Sequence, residues 1–99
     1  MAIRDDYNFE FLINESERLV FDELDKQLSS DENADVCRCE DCIIDMAALA
    51  LNSVKPLYRV SLMGTLYASV LDSSPEALAA KEAVVNSIKK IAANPSHGG

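Results

Sequence analysis

Residues 37–52 read CRCEDCIIDMAALALN, and this stretch of the sequence decides the fold. Its second part, from Ile43 to Asn52, is apolar on almost every side of a helical projection, which is typical of a helix buried at the centre of a domain. The preceding residues 29–35, SSDENAD, are small, polar and acidic, and they predict a loop. Because the residue before a proline disfavours the helical conformation, we expect the central helix to end before Pro56.

A first amphipathic helix precedes the loop. Asn14, with Glu17 three residues later, resembles a capping box and predicts a helix that begins near Asn14. Residues 9–13, FEFLI, also alternate as a short strand does, and the sequence leaves these interpretations open. A longer helix from Asn8 to Leu28 is the third possibility, because apolar residues recur at helical spacing at Phe9, Leu12, Ile13, Val20, Leu24 and Leu28.

The sequence after the central helix predicts a short β-hairpin and a last helix. Residues 57–63 alternate with period two, which places Tyr58 on the inner face of a strand and Arg59 on the outer face. Gly64 marks the turn, and residues 66–71 are either the returning strand or the start of another helix. Ser74 and Pro75 have the form of a helix start. The apolar face of this helix, which runs to about Ala93, comprises Leu78, Val84, Val85, Ile88 and Ile91.

These elements predict a mainly α fold of the α+β class. A compact helical domain carries the hairpin and a C-x-C-x-x-C loop before the central helix, and residues 1–99 form one domain with residues 1–7 and 94–99 flexible. A chain of this length buries only about 60–65% of the surface that its unfolded form exposes. Because much of its apolar content is alanine, we expect a metal or a second subunit to contribute to stability.

Charge is distributed unevenly within a net charge of −8: residues 1–48 contain 14 acids and 4 bases, and residues 49–99 contain 3 acids and 5 bases. The acidic half repels phosphate backbones, which argues against direct nucleic-acid binding. No apolar run approaches the ~20 residues of a membrane span, and the first residues lack the apolar core of a signal peptide. We therefore predict a cytoplasmic protein with no membrane contact, in which thiols stay reduced.

Cys37, Cys39 and Cys42 are the densest group of ligand-type residues in the sequence. Zinc prefers tetrahedral thiolate or imidazole ligands, and the Cys-x-x-Cys spacing of Cys39 and Cys42 presents two sulfurs to one ion. Cys42 also lies near a helix N-terminus, whose partial positive charge favours a thiolate. We therefore predict zinc on these three residues. Three inert thiols packed in the core, or a redox-sensing group, are the alternatives.

The sequence does not identify a fourth zinc ligand. Asp45, one helical turn after Cys42, lies on the same helix face, but a helix-capping or surface acid is an equal interpretation. His97 is 55 residues beyond Cys42 in a Gly-ended tail, where a solvated side chain is the usual case. A residue of a second subunit or a water molecule is a further candidate for the fourth ligand of a tetrahedral zinc site.

Residues 37–58 resemble the late competence development protein family, ComFB. The shared pattern is C-x-C-x-x-C, an aspartate three residues on, the run ALALN, a proline and a tyrosine; here these are the three cysteines, Asp45, residues 48–52, Pro56 and Tyr58. The chain departs from it in Lys55-Pro56, which replaces paired prolines, and in lacking the further downstream cysteine of some members. The resemblance implies an α-rich homodimer with cysteine-bound zinc and a regulatory role in competence, motility or surface behaviour, and some members bind cyclic di-GMP.

If the resemblance extends to cyclic di-GMP, the candidate contacts are Arg59, Lys55 and Arg38. A guanidinium chelates phosphate or stacks on a guanine, and Arg59 is predicted to face outward, close to Lys55. Arg38 in the cysteine loop is predicted to join them. A solvated surface role is the ordinary alternative for each arginine.

The sequence therefore predicts a non-enzymatic bacterial regulatory protein, a zinc-stabilised homodimer that acts as a cyclic di-GMP receptor and has an unidentified protein partner. The alternative is a zinc-binding dimeric adaptor with no small ligand. We predict no enzymatic activity, because the sequence has no phosphate-binding glycine loop and no pairing of a nucleophile with a base, and its single histidine lies in the tail.

Overall fold

The computed structural model of the protein describes residues 2–60 and 74–95. Within these ranges the mainly helical fold with a short antiparallel pair of strands, which the sequence predicts, is confirmed. The helices are α1 (Ile3–Asp6), α2 (Glu15–Leu28), α3 (Glu40–Asn52) and α4 (Pro75–Ala93), with 3-10 turns at Phe9–Phe11 and Asp31–Asn33, and the strands are β1 (Ile13–Asn14) and β2 (Tyr58–Arg59).

Asn14 determines where α2 begins. Its side-chain Oδ1 accepts a hydrogen bond from the Ser16 backbone N–H at 3.1 Å, which caps the helix in the way asparagine often does. The same oxygen accepts from the Leu57 backbone N–H at 2.8 Å. The later of the predicted helix starts is therefore confirmed, and the residues before it form a 3-10 turn and β1.

The strand pair joins the two halves of the sequence. β1 and β2 are antiparallel, with Ile13 opposite Arg59 and Asn14 opposite Tyr58. The Glu15 backbone N–H continues this pairing by donating to the Leu57 carbonyl at 2.8 Å. Of the strand predicted at residues 57–63, the part Tyr58–Arg59 pairs with the N-terminal segment, and residues 61–63 lie outside the described residues, as does the predicted partner at residues 66–71.

The core lies where α2, α3 and α4 pack against one another. Ser74 caps α4 as predicted, since its Oγ accepts a hydrogen bond from the Ala77 backbone N–H at 3.3 Å. The prediction that Leu78 faces the core is wrong: its side chain is 61% exposed. At about 100° per residue, Leu78 points roughly 200° away from Ala80, which begins the buried stripe. The buried residues of α4 are Ala80, Ala83, Val84, Ser87, Ile88 and Ile91.

The helix α3 occupies the predicted central position, in contact with both α2 and α4. It is not buried on all sides in the single chain, however. Its fully buried residues are Cys42, Met46 and Ala50, whereas Ile44 is 60% exposed. Two neighbouring helices cover only part of the circumference of α3, so an apolar strip remains at the surface.

None of the helices within the described ranges has the length and hydropathy that a membrane crossing requires.

Candidate metal centre

The N-terminus of α3 brings the three cysteines together. Cys39 is the N-cap residue, and its Sγ accepts a hydrogen bond from the Cys42 backbone N–H at 3.4 Å. Cys42 lies in the first turn and is fully buried, while Cys37 and Cys39 are half-buried. The three sulfur atoms all lie within 4.8 Å of one another. The clustering predicted from the C-x-C-x-x-C spacing is therefore confirmed.

This cluster fits a metal ion of the zinc type. In a tetrahedral site with Zn–S bonds of about 2.3 Å, the sulfur atoms are about 3.8 Å apart, so small side-chain rotations suffice. Cys37 and Cys39 remain partly accessible, which gives an ion a route to the sulfurs. The residues present can thus hold a metal, and thiolate ligands favour zinc among the divalent ions that need no redox chemistry.

The electrostatics of the cluster disfavour free thiolates. The hydrogen bond from the Cys42 backbone N–H lowers the pKa of the Cys39 thiol, but desolvation and the neighbouring sulfurs of Cys37 and Cys42 outweigh it. The net effect raises the pKa of Cys39 above its ordinary value. Three thiolates cannot be kept so close without a positive charge among them, and a dication would supply it.

Within the described residues, the cysteines form this cluster without a fourth ligand. Asp45 is half-buried one turn further along α3 and is not part of the cluster. The predicted alternative, His97, lies outside the described residues. A water molecule or a residue from elsewhere would complete a tetrahedron.

Arg38 fastens the cysteine loop to the end of α2. Its guanidinium donates to the carbonyl oxygen of Leu28, the last residue of α2, and to that of Asn33 at 3.2 Å. A cation at a helix C-terminus satisfies carbonyls that have no partner within the helix and complements the helix dipole. We expected Arg38 to contact a ligand; the structure places it against these carbonyls.

Arg59, the main predicted ligand contact, is paired with a buried carboxylate. Its Nε donates to Oε1 of Glu15 at 2.5 Å, and Arg18 Nε donates to the other oxygen, Oε2, at 3.0 Å. The predicted strand faces are therefore wrong, since Arg59 turns toward α2 while Tyr58 is 62% exposed. The reason is that β2 pairs with β1 at the start of α2, where Glu15 attracts the arginine.

Glu15 was not singled out in the sequence, although it is only 1% exposed. Burial raises the pKa of its carboxyl, but hydrogen bonds and positive charge from Arg18 and Arg59 outweigh burial and hold the pKa below its ordinary value of 4.5. The i, i+3 spacing to Arg18 was a usable signal. Arg59 is 44 residues away, and no local pattern indicates that contact.

The predicted ligand residues lie at opposite ends of α2. Lys55 is exposed, and its backbone carbonyl accepts a hydrogen bond from Ser16 Oγ at 2.5 Å, so it lies beside the first turn, where Arg59 also lies. Arg38 lies at the last turn. At 1.5 Å per residue, the two ends of this helix are about 20 Å apart. Within one chain, Lys55 and Arg59 are neighbours and Arg38 is remote from both; the role of all three in ligand binding stays a prediction.

Comparison with known proteins agrees with the cysteine pattern. The sequence profile of a family described as late competence development protein ComFB matches residues 13–95. A solved structure described as the late competence protein ComFB from Bacillus subtilis is 27% identical, covering 86% of this chain and 94% of that one, with a TM-score of 0.66. No curated protein matches the chain significantly. The chain therefore belongs to the ComFB late competence family.

Proposed function

We propose that this protein is a non-enzymatic regulator of the late competence type, which works as a zinc-bound homodimer, receives a cyclic dinucleotide and passes the signal to a protein partner. The observation that carries the proposal is the group of three cysteine sulfurs within 4.8 Å at the start of α3. Membership of the ComFB family, whose profile covers residues 13–95, supports the regulatory role.

Zinc in this site is structural. Cys37, Cys39 and Cys42 would hold the ion, which would join the loop after α2 to the first turn of α3. Metal analysis of protein purified without chelator should find close to one zinc per chain, and Cys39→Ser should lose it. If the protein lacked stoichiometric metal and Cys39→Ser were as stable as wild type, the result would instead favour inert thiols.

The dimer would cover the exposed apolar residues around the strand pair. A short chain with few large residues in its core gains stability when a second copy buries such a surface. Fewer acidic residues lie near the surface around the strand pair, for example Asp5 and Asp6, than on α2 and α3. The exposed apolar side chains of this surface are Tyr7, Phe9, Phe11, Leu12, Ile13, Tyr58 and Val60.

Light scattering of the intact chain at tens of micromolar should report a dimer, and Phe11→Ser should shift it toward a monomer because an apolar contact is lost. Leu78→Ser is the matched control, since Leu78 is about as exposed as Phe11 but belongs to α4 and not to the strand pair. A monomeric wild-type protein would rule out the dimer.

The cyclic dinucleotide would bind where Lys55 and Arg59 meet the first turn of α2. Both residues are positively charged, whereas the protein as a whole has a net charge of −8, so they would locally offset the repulsion of an anionic ligand. A phosphate that reaches Arg59 must share its guanidinium with Glu15, because the two are already 2.5 Å apart. Binding and the ion pair therefore compete.

Calorimetric titration of cyclic di-GMP into the wild-type protein and three variants tests this site. Arg59→Ala should weaken binding by roughly ten- to a hundredfold, since a charge-assisted contact is lost. Glu15→Gln should strengthen binding, because it removes the competing carboxylate. Lys89→Ala, an exposed lysine of α4, should match wild type. Equal losses in Arg59→Ala and Lys89→Ala would assign the effect to overall charge.

A second candidate function is a dimeric zinc-binding adaptor with no small ligand. The Arg59–Glu15 pair is the observation that favours it, because that arginine already has a buried partner. The absence of any heat or melting-temperature shift with cyclic di-GMP well above micromolar concentration would select this alternative.

A further inference from the structure

A groove of about 680 Å³ runs between α2 and α3. It is apolar along its length, and two of its large side chains, Phe21 and Ile44, are 48% and 60% exposed. Burial of such side chains against another molecule is favourable, because it removes apolar surface from water. The deeper groove residues are Leu24, Leu28, Ile43 and Leu51.

The dimensions of this α2–α3 groove match a short helix. The groove-lining part of α2, from Glu17 to Leu28, extends about 16 Å at 1.5 Å per residue, which is about three helical turns. On the α3 side, Ala47 and Ala48 leave space for side chains of a partner helix to pack between the existing ridges.

The charges around the α2–α3 groove are acidic. The charged residues that line it are Glu17 and Asp25, and neither forms an ion pair with another residue in the described ranges. Together α2 and α3 contain eight acidic and two basic residues, a net charge of −6. A second copy of this chain would place two such surfaces face to face, and like charges across an interface oppose association. A cationic partner is complementary.

We propose that the α2–α3 groove binds an amphipathic helix of a protein partner, with apolar side chains spaced i, i+3 or i+4, and i+7, and with lysine or arginine on its flanks. This deepens the proposed function and rests on it, since it gives the chemistry of the partner that receives the signal. The groove includes none of the cysteines and neither Lys55 nor Arg59.

Two synthetic peptides test the partner's chemistry on the intact, zinc-loaded chain. Both carry the same leucine face over about four helical turns, and their flanking residues are lysine in one and glutamate in the other. Fluorescence anisotropy at low ionic strength should show micromolar binding of the lysine peptide and at least tenfold weaker binding of the glutamate peptide, with the difference reduced by salt.

Matched variants locate the binding surface. Ile44→Ser should weaken binding of the lysine peptide roughly tenfold, because a central apolar contact is lost. Leu78→Ser, which removes an equally exposed leucine from α4, should leave its affinity unchanged. The double variant Glu17→Gln, Asp25→Asn should remove most of the difference in affinity between the lysine and glutamate peptides. Glu82→Gln, on α4, should leave that difference unchanged.

Three results would overturn the proposal: equal affinity for the two peptides, no binding of the lysine peptide at a few hundred micromolar, or equal losses in Ile44→Ser and Leu78→Ser. Dissociation of the dimer by Ile44→Ser but not by Phe11→Ser would also overturn it, because a second copy would then occupy the groove. Cyclic di-GMP titration is a separate measurement. A failed titration with intact peptide binding therefore counts against the dinucleotide alone, and the reverse result counts against the groove alone.

Discussion

The cysteine loop and strand β2 both contain residues that the sequence proposes for binding, but they differ in what those residues already contact. The three cysteine sulfurs lie within 4.8 Å of one another, with a raised Cys39 pKa that a cation would relieve. Arg59 is instead held by Glu15, a carboxylate that is almost fully buried. The cysteine sulfurs could accept a cation without giving up an existing ion pair, whereas Arg59 must give up its partner Glu15 to accept an anionic ligand.

The largest effect is expected from loss of the metal. Cys39→Ser should lower the free energy of unfolding by at least about 3 kcal/mol, and the melting temperature by roughly 12–20 °C, because metal binding to such a loop is coupled to folding. Calorimetric melting in the presence and absence of EDTA measures this.

Wild-type protein treated with EDTA is the control for this variant, and it should melt at the same temperature as Cys39→Ser. EDTA should not affect the variant further. A chelator effect of equal size in both proteins would mean that the metal is held elsewhere. The cysteine loop would then not be a metal site.

The next largest effect on stability is expected from the ion pair between the buried Glu15 and Arg59. Glu15→Gln should cost about 1.5–3 kcal/mol in urea unfolding, since it weakens two charge-assisted hydrogen bonds to Arg18 and Arg59. Glu17→Gln, two residues further on and exposed, should stay within about 0.5 kcal/mol of wild type. Equal stability of the two variants would show that the Glu15–Arg59 ion pair contributes little to stability.

The same pair predicts a pH dependence. Because the folded pKa of Glu15 lies below its unfolded value of 4.5, its stabilising effect is fully present above that value and is lost as pH falls through the folded pKa. The stability difference between wild type and Glu15→Gln should therefore be constant near neutral pH and shrink below about pH 4.5. A difference that persists unchanged at pH 3 would contradict the lowered pKa.

The smallest effect is expected at Arg38, which lies in the cysteine loop but contacts carbonyls. Arg38→Ala should cost roughly 1–2 kcal/mol, since two hydrogen bonds to the end of α2 are lost, while zinc content and cyclic di-GMP affinity stay unchanged. Loss of affinity without loss of stability would instead assign Arg38 to the ligand site, as the sequence first proposed.

Local patterns predicted the described fold well. The Asn14 cap, the Ser74-Pro75 helix start and the cysteine spacing each depend on residues within five positions of one another, and each appears as expected. The faces of β2 and the position of Leu78 were predicted wrongly. In those cases the outcome depends on which distant segment packs against the element.

The sequence by itself determined the order of α2, α3 and α4, the start of α4 and the gathering of three cysteines at the start of α3, because helix capping and short-range spacing act within a few residues. Only the tertiary structure decided that β2 pairs with β1, that Glu15 holds Arg59 and that α3 exposes an apolar strip beside α2. These features join residues about 15 to 46 positions apart in the chain, and such contacts follow from how the helices pack as a whole.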